Sequence, residues 1–139
     1  KRHYGSNNMQ TTQKFAKSKN VIWITVISSA EGKQGYIQPN DALNTFASFG
    51  SFPDHILVDE NGDLGKKFNA KTTPHIFIAD KNKNIVYQGA IDDAGGSRFW
   101  TTDLNQSTNF VKKVVNDIKS NKPLSVSKTR PYGCSVKYG

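Results

Sequence analysis

Few residues of this sequence are able to carry chemistry. Cys134 is the single cysteine, set in Arg130-Pro131-Tyr132-Gly133-Cys134-Ser135 near the end of a 139-residue chain. The thiolate is the nucleophilic form, and a cationic, partly exposed setting favours it. The basic tail supplies such a setting, but nothing in the sequence positions a base beside the thiol. A reactive thiol and an incidental surface thiol both fit. One cysteine excludes an internal disulfide and a cysteine-based zinc site within the chain. His75 follows Pro74 and is a candidate pH-sensitive group at a site. From its sequence position alone it reads as a strand-end histidine held by a local hydrogen bond. His3 and His55 lack metal-ligand spacing and read as structural, and no metal site is expected. Asp92 and Asp93 fall at a strand end, where sites in open α/β sheets gather. Neighbours on an extended chain point opposite ways, so they are not a cooperating pair. Asp59 and Asp80 read as turn formers. Asp59, Asn61 and Asp63 imitate a calcium loop, but Leu64 stands where that loop requires glycine. No serine has the context of a nucleophile elbow. Gly32 and Gly35 match neither a dinucleotide fingerprint nor a phosphate loop. Trp23 reads as core. Trp100, with Phe99 in a polar loop, reads as a candidate groove residue.

The element that must position these groups is Lys71–Asp80. Proline lacks a backbone N–H, so Pro74 suits the first residue of a strand. Thr73 before it is driven to an extended conformation. The apolar run from Ile76 to Ala79 is then a strand. A polar turn at 80–84 leads back into a second strand, Ile85–Ala90, giving an antiparallel hairpin. Upstream, residues 6–17 read as a helix capped by Ser6, with Met9, Phe15 and Ala16 on one face. Val21–Ile27 is β-branched almost throughout, which predicts a strand covered on both faces. Pro39 opens a helix with the stripe Ala42, Leu43, Phe46 and Ala47, ended by Gly50. His55–Asp59 is a short strand, and 63–69 a short helix burying Leu64 and Phe68. A last helix carries Phe110, Val111, Val114, Val115 and Ile118, capped by Ser107, Thr108 or Asn109. Strands separated by helices imply parallel neighbours, and the hairpin adds an antiparallel edge. The expected class is α/β, a mixed sheet with helices on both faces.

Composition narrows the partners. There are 19 Lys and Arg against 11 Asp and Glu, a formal charge of +8. The excess sits at the two ends, since the acidic residues all fall between 31 and 118. No Arg cluster, RNA-binding aromatic motif or zinc motif accompanies the charge, so solvated lysines explain it and no nucleic-acid partner is expected. No apolar run approaches the ~20 residues of a membrane span, and no membrane partner is expected. Lys1 is not an initiator Met, so the start reads as a cut, with a leader sequence left open.

Beyond this residue reading, five segments resemble the thioredoxin-like fold, in its redoxin branch of thiol-disulfide oxidoreductase and peroxiredoxin-like proteins. They are His3-Tyr4-Gly5-Ser6, Gly32-Lys33-Gln34-Gly35-Tyr36, Lys71-Thr72-Thr73-Pro74-His75, Gly89-Ala90-Ile91-Asp92-Asp93 and the tail Arg130–Tyr138. The resemblance spans nearly the whole chain. It implies a three-layer thioredoxin-like sandwich lacking its first strands, with residues 1–120 an incomplete domain and 121–139 a tail carrying the only cysteine. It implies a cis Thr73–Pro74 bond. It assigns substrate binding to Thr73, Pro74 and His75, and a second or resolving thiol to Cys134. The main redox cysteine of such proteins precedes the part matched by Lys1–Tyr4 and is absent from this chain. The implied function is an antioxidant thiol-disulfide oxidoreductase acting on a protein or small-molecule disulfide or on a peroxide, with no cofactor. The alternative is a non-catalytic module binding in the groove beside Pro74. A periplasmic or secreted location and a homodimer through an exposed sheet edge complete these expectations.

Overall fold

The computed structural model describes residues 2–96 and 107–139. Phe99 and Trp100 lie outside the described residues. Two compact units emerge: residues 1–70 with 135–139, and residues 71–134. The described strands pair as three two-stranded sheets, in a mixed α/β arrangement.

The first unit begins with a single helical turn, α1 (Arg2–Gly5), and the helix α2 (Asn8–Ser18). Asn7 turns the chain between them at φ 63. Ser6 does not cap α2; its hydroxyl donates back to the His3 carbonyl at 3.3 Å. The buried residues of α2 are Met9, Gln10, Thr12, Gln13 and Ala16, while Phe15, expected with Met9 and Ala16, is half-buried. Each of the three polar residues makes a hydrogen bond, although Gln10 Oε1 and Gln13 Nε2 find no partner among the described residues. Gln10 Nε2 donates to the Tyr4 and Phe49 carbonyls at 3.0 and 2.6 Å. Thr12 Oγ1 donates to the Asn8 carbonyl at 2.7 Å, and Gln13 Oε1 accepts from Ser51 Oγ at 2.9 Å.

Strand β1 (Ile24–Ile27) runs parallel to β2 (His55–Val58), with Ile24 opposite His55 and Ile27 opposite Val58. A short 3-10 turn at Pro39–Asp41 leads into α3 (Ala42–Ser48). Period-2 alternation then divides the β1–β2 pair into two faces. Ile27, Ile56 and Val58 pack with Ala42 and Phe46 of α3 and with Tyr4 and Ile37. The sequence predicts cover on both faces of this strand; among the described residues an apolar layer from helix α3 lies on one, and Ile24, Val26 and Leu57 on the other stay exposed. Leu43 likewise leaves the predicted stripe and is 72% exposed.

Helix α4 (Asp63–Lys67) follows β2. Leu64 is half-buried and Phe68 is exposed, so the predicted burial of Phe68 fails. The tightly packed residues are glycines instead. The Tyr138 ring lies where side chains at Gly62 and Gly65 would project. Its hydroxyl donates to the Ala70 carbonyl at 2.8 Å.

The second unit holds β3 (Thr72–Thr73), β4 (Ile76–Ala79), β5 (Ile85–Gly89) and α5 (Phe110–Lys119), with a 3-10 turn at Ala94–Gly96. Strands β4 and β5 form the antiparallel hairpin, with an irregularity after Ile78. Asp80 makes the turn, its Oδ1 accepting from Asn82 N at 2.8 Å and Asn84 N at 3.0 Å. Asn109 is the α5 cap, accepting from Lys112 N at 3.0 Å. Val111, Val114 and Val115 form the buried stripe of α5. Each such side chain contributes about 1.5–3 kcal/mol by leaving water. Tyr87, Ile91 and Asp92 are buried in the same unit.

No helix among the described residues is long and apolar enough to cross a membrane.

Candidate functional site

Local chemistry builds the strand entrance first. The Thr73–Pro74 peptide is cis. Thr72 Oγ1 donates to the Pro74 carbonyl at 2.8 Å, closing the turn on itself. His75 Nδ1 accepts the Lys71 backbone N–H at 3.1 Å. The imidazole stacks on Phe77, with ring centroids 4.4 Å apart and planes at 28°. With Nδ1 accepting, the neutral ring carries its proton on Nε2.

Burial lowers the His75 pKa below its ordinary 6.5, and the Lys71 charge adds to the effect. The unfolded chain therefore takes up the proton first on acidification. The stability linked to this group is complete above 6.5 and falls as pH drops through that value toward the folded pKa. Replacing His75 with Gln is expected to flatten this part of the stability-versus-pH curve, as read from urea midpoints above and below pH 6.5. An unchanged slope in the variant would remove His75 as its source.

The C-terminal segment comes to this entrance along β5. Gln88 N donates to the Ser127 carbonyl at 3.1 Å, and Thr129 N to the Gln88 carbonyl at 3.0 Å. Thr129 Oγ1 then accepts Ala90 N at 2.9 Å and shares a hydrogen bond of 2.6 Å with the Tyr87 hydroxyl. Gly89 has φ 145, and a side chain there would run into the Thr129 backbone. Further on, the Tyr132 hydroxyl donates to Asp92 Oδ1, which also accepts Ala94 N at 3.0 Å. Asp92 is 1% exposed.

Gly133 follows at φ 137, pressed against the Thr73 carbonyl. The chain next forms β6 (Cys134–Ser135), which pairs with β3. Cys134 is a free, exposed thiol. Thus Thr73, Pro74 and Cys134 meet at one place, although 60 residues separate the last two in the sequence numbering. His75 lies just before β4, its ring held locally by the Lys71 amide and the Phe77 ring.

Residue reading alone missed the groups that make this meeting possible. In the sequence Asp92 reads only as a strand-end acid beside Asp93; Asp93 in fact accepts Thr108 N at 2.7 Å. Tyr132 and Thr129 carried no sequence signal beyond lying near the cysteine. Among the described residues, no group of three or more His, Cys, Asp or Glu is arranged to hold a metal.

A separate feature belongs to the first unit. An open cleft of about 350 Å³ lies beside β2, lined by Pro39, Ala42, Leu43, Pro53 and His55 among others. Its acidic residue, Asp54, is already engaged, accepting Trp23 N at 2.7 Å and pairing with Lys17 Nζ at 3.8 Å. That leaves the cleft chiefly apolar, without converging polar groups.

No family model matches this sequence. No curated protein matches it either. Solved structures do resemble it. An uncharacterized conserved protein from Geobacillus kaustophilus superposes with a TM-score of 0.76 at 21% identity, covering 94% of this chain and 68% of that one. A hypothetical protein from Sinorhizobium meliloti 1021 gives 0.75 at 18% identity, covering 94% of this chain and 70% of that one. At such identity the likeness extends to the fold alone.

Proposed function

We propose that this chain is the greater part of a thioredoxin-like, redoxin-type thiol-disulfide oxidoreductase. In this reading the described elements belong to a three-layer sandwich, Cys134 is the second or resolving thiol, and Thr73-Pro74-His75 receives the substrate. The observation that supports it best is the docking of β6 on β3, which sets the single thiol beside an extended backbone. Extended peptides bind such backbone by strand-like hydrogen bonds.

The step itself is thiol-disulfide exchange. As the resolving thiol, the Cys134 thiolate attacks a mixed disulfide held by the redox cysteine outside residues 1–139; a new S–S bond forms to that cysteine, and the old one breaks. The departing thiolate takes up a proton from solvent. The mixed disulfide is the oxidant: Cys134 is oxidised and the departing sulfur is reduced. The partner cysteine comes from outside residues 1–139, since the sequence holds one cysteine.

The test is mass mapping of the chain after incubation with oxidised glutathione. The expected result is one added glutathione on Cys134, removed by a second thiol, and none in Cys134→Ser. The exchange should also run faster than for an unstructured peptide of the same tail. Equal rates for chain and peptide would mean that the fold does nothing for the thiol. A non-catalytic module binding beside Pro74 would then be the better reading.

A further inference from the structure

The Cys134 side chain is exposed, and its backbone is placed by the pairing of β6 with β3 and by the attachments of the segment before it. Thr129 is tied to β5 through Tyr87 and Ala90. Between that anchor and the cysteine the Tyr132 hydroxyl donates to the carboxylate of the buried Asp92. The Tyr132 ring also occupies the space over Gly95 that a side chain there would fill. After it comes Gly133, at a φ of 137 that side-chain-bearing residues rarely adopt. Its missing side chain is what admits the Thr73 carbonyl.

This order matters physically. A carboxylate taken out of water must be satisfied by donors, so Asp92 favours the state in which a hydroxyl reaches it. Tyrosine meets that need with a rigid two-torsion side chain whose ring fills the notch at Gly95. The two residues thus form a fixed point two positions before the thiol, and the glycine after them is a natural pivot.

We propose that Tyr132 and Asp92 are positioning residues for Cys134, forming a latch. Closed, the latch holds residues 132–134 against Thr73. Opened, it loosens residues 132–134, while Thr129 stays attached to β5 and the Lys137 and Tyr138 attachments downstream are kept. The inference rests on the reading of Cys134 as the exchanging thiol for its purpose, though the latch is measurable without any exchange reaction.

The single cysteine makes the test direct. A nitroxide is attached to Cys134 of the full chain, and amide hydrogen exchange is followed at Thr129, at 132–134 and along α5. Tyr132→Phe keeps the ring over Gly95 and deletes only the hydroxyl. Asp92→Ala deletes the acceptor, and Asp92→Asn restores one. With Tyr132→Phe and Asp92→Ala, exchange at 132–134 is expected to rise about tenfold, the size of one charge-assisted hydrogen bond. The nitroxide spectrum should narrow in step. The Thr129 and α5 amides should keep their protection, and Asp92→Asn should recover most of the wild-type behaviour. If Asp92→Ala does not fold, Tyr132→Phe decides alone. Unchanged exchange at 132–134 in Tyr132→Phe overturns the latch, and so does an equal rise along α5, which would mean general loosening. Failure of glutathione exchange at Cys134 with the latch behaviour intact would instead remove the redox reading.

Discussion

Gly133→Val is expected to destabilise the second unit by at least ~2 kcal/mol and to release Cys134 from β3, because backbone strain and overpacking each cost 1–3 kcal/mol at such a site. Two effects combine at this position. The backbone has φ 137, and a side chain would meet the Thr73 carbonyl. A β-branched residue is the least tolerant of both. Gly50 provides the control. It has φ 68 but open space around it, so Gly50→Ala carries the conformational cost alone, about 1 kcal/mol. The measurement is the urea midpoint of each variant, with the nitroxide at Cys134 reporting arm position. A Gly133→Val chain as stable as wild type, with an equally immobile label, would refute the close approach to Thr73. The loss has a ceiling, because undocking the arm relieves the clash; the remainder of the unit keeps the α5 core.

The second large effect is expected at Asp59. Its carboxylate accepts from Gly65 N at 2.8 Å, Leu64 N at 3.1 Å and Ser28 Oγ at 2.8 Å, with the Asp63 amide beside them. The amides are orphans of the first turn of α4, where a negative charge is also favoured by the helix dipole. Asp59→Ala strands these donors and should cost about 2 kcal/mol. Asp59→Asn keeps one acceptor and should recover roughly half of that loss. Acid should act in the same direction as the Ala variant. Burial pushes the carboxyl pKa up, but hydrogen bonds from Gly65, Ser28, Leu64 and Asp63 outweigh it, leaving the pKa below the ordinary 3.8. A depressed carboxyl pKa contributes stability that is complete above 3.8 and lost as pH falls through the folded value. Thermal melts of wild type and Asp59→Ala should therefore converge at the acid end. A constant gap down to the lowest pH would point to packing instead of charge.

Local features were legible from the residues. Asp80 formed its turn because its short carboxylate reaches amides two and four residues on, which needs no tertiary partner. Asn109 capped α5 for a similar reason. The β4–β5 hairpin and the parallel β1–β2 pair followed from apolar runs, their breaks and the helix between them. Side-chain burial was less legible. Met9 and Phe46 are buried as their helix periodicity predicts, but Leu43 and Phe68 are exposed, while Gln13 and Gly65 hold buried positions. Hydrophobicity alone cannot foresee this. The Gln13 amide that takes up Ser51 and the glycine that admits the Tyr138 ring are satisfied by partners more than 35 residues away.

The candidate site divides along the same line. Thr73, Pro74 and Cys134 were singled out from their own chemistry: a proline that begins a strand, and the one thiol in the chain. What joins them is tertiary. Asp92 looked like an acid beside another acid, and in the fold it is a buried acceptor for Tyr132. By itself the sequence determined the proline turn before β4, the Asp80 turn and the three residues among which the α5 cap falls, because each depends on backbone chemistry within a few residues, and it named the only cysteine. Only the tertiary structure decided where the thiol lies. Its place depends on pairing, close packing and a buried hydroxyl–carboxylate bond between segments some 40 residues apart, and no local propensity encodes these.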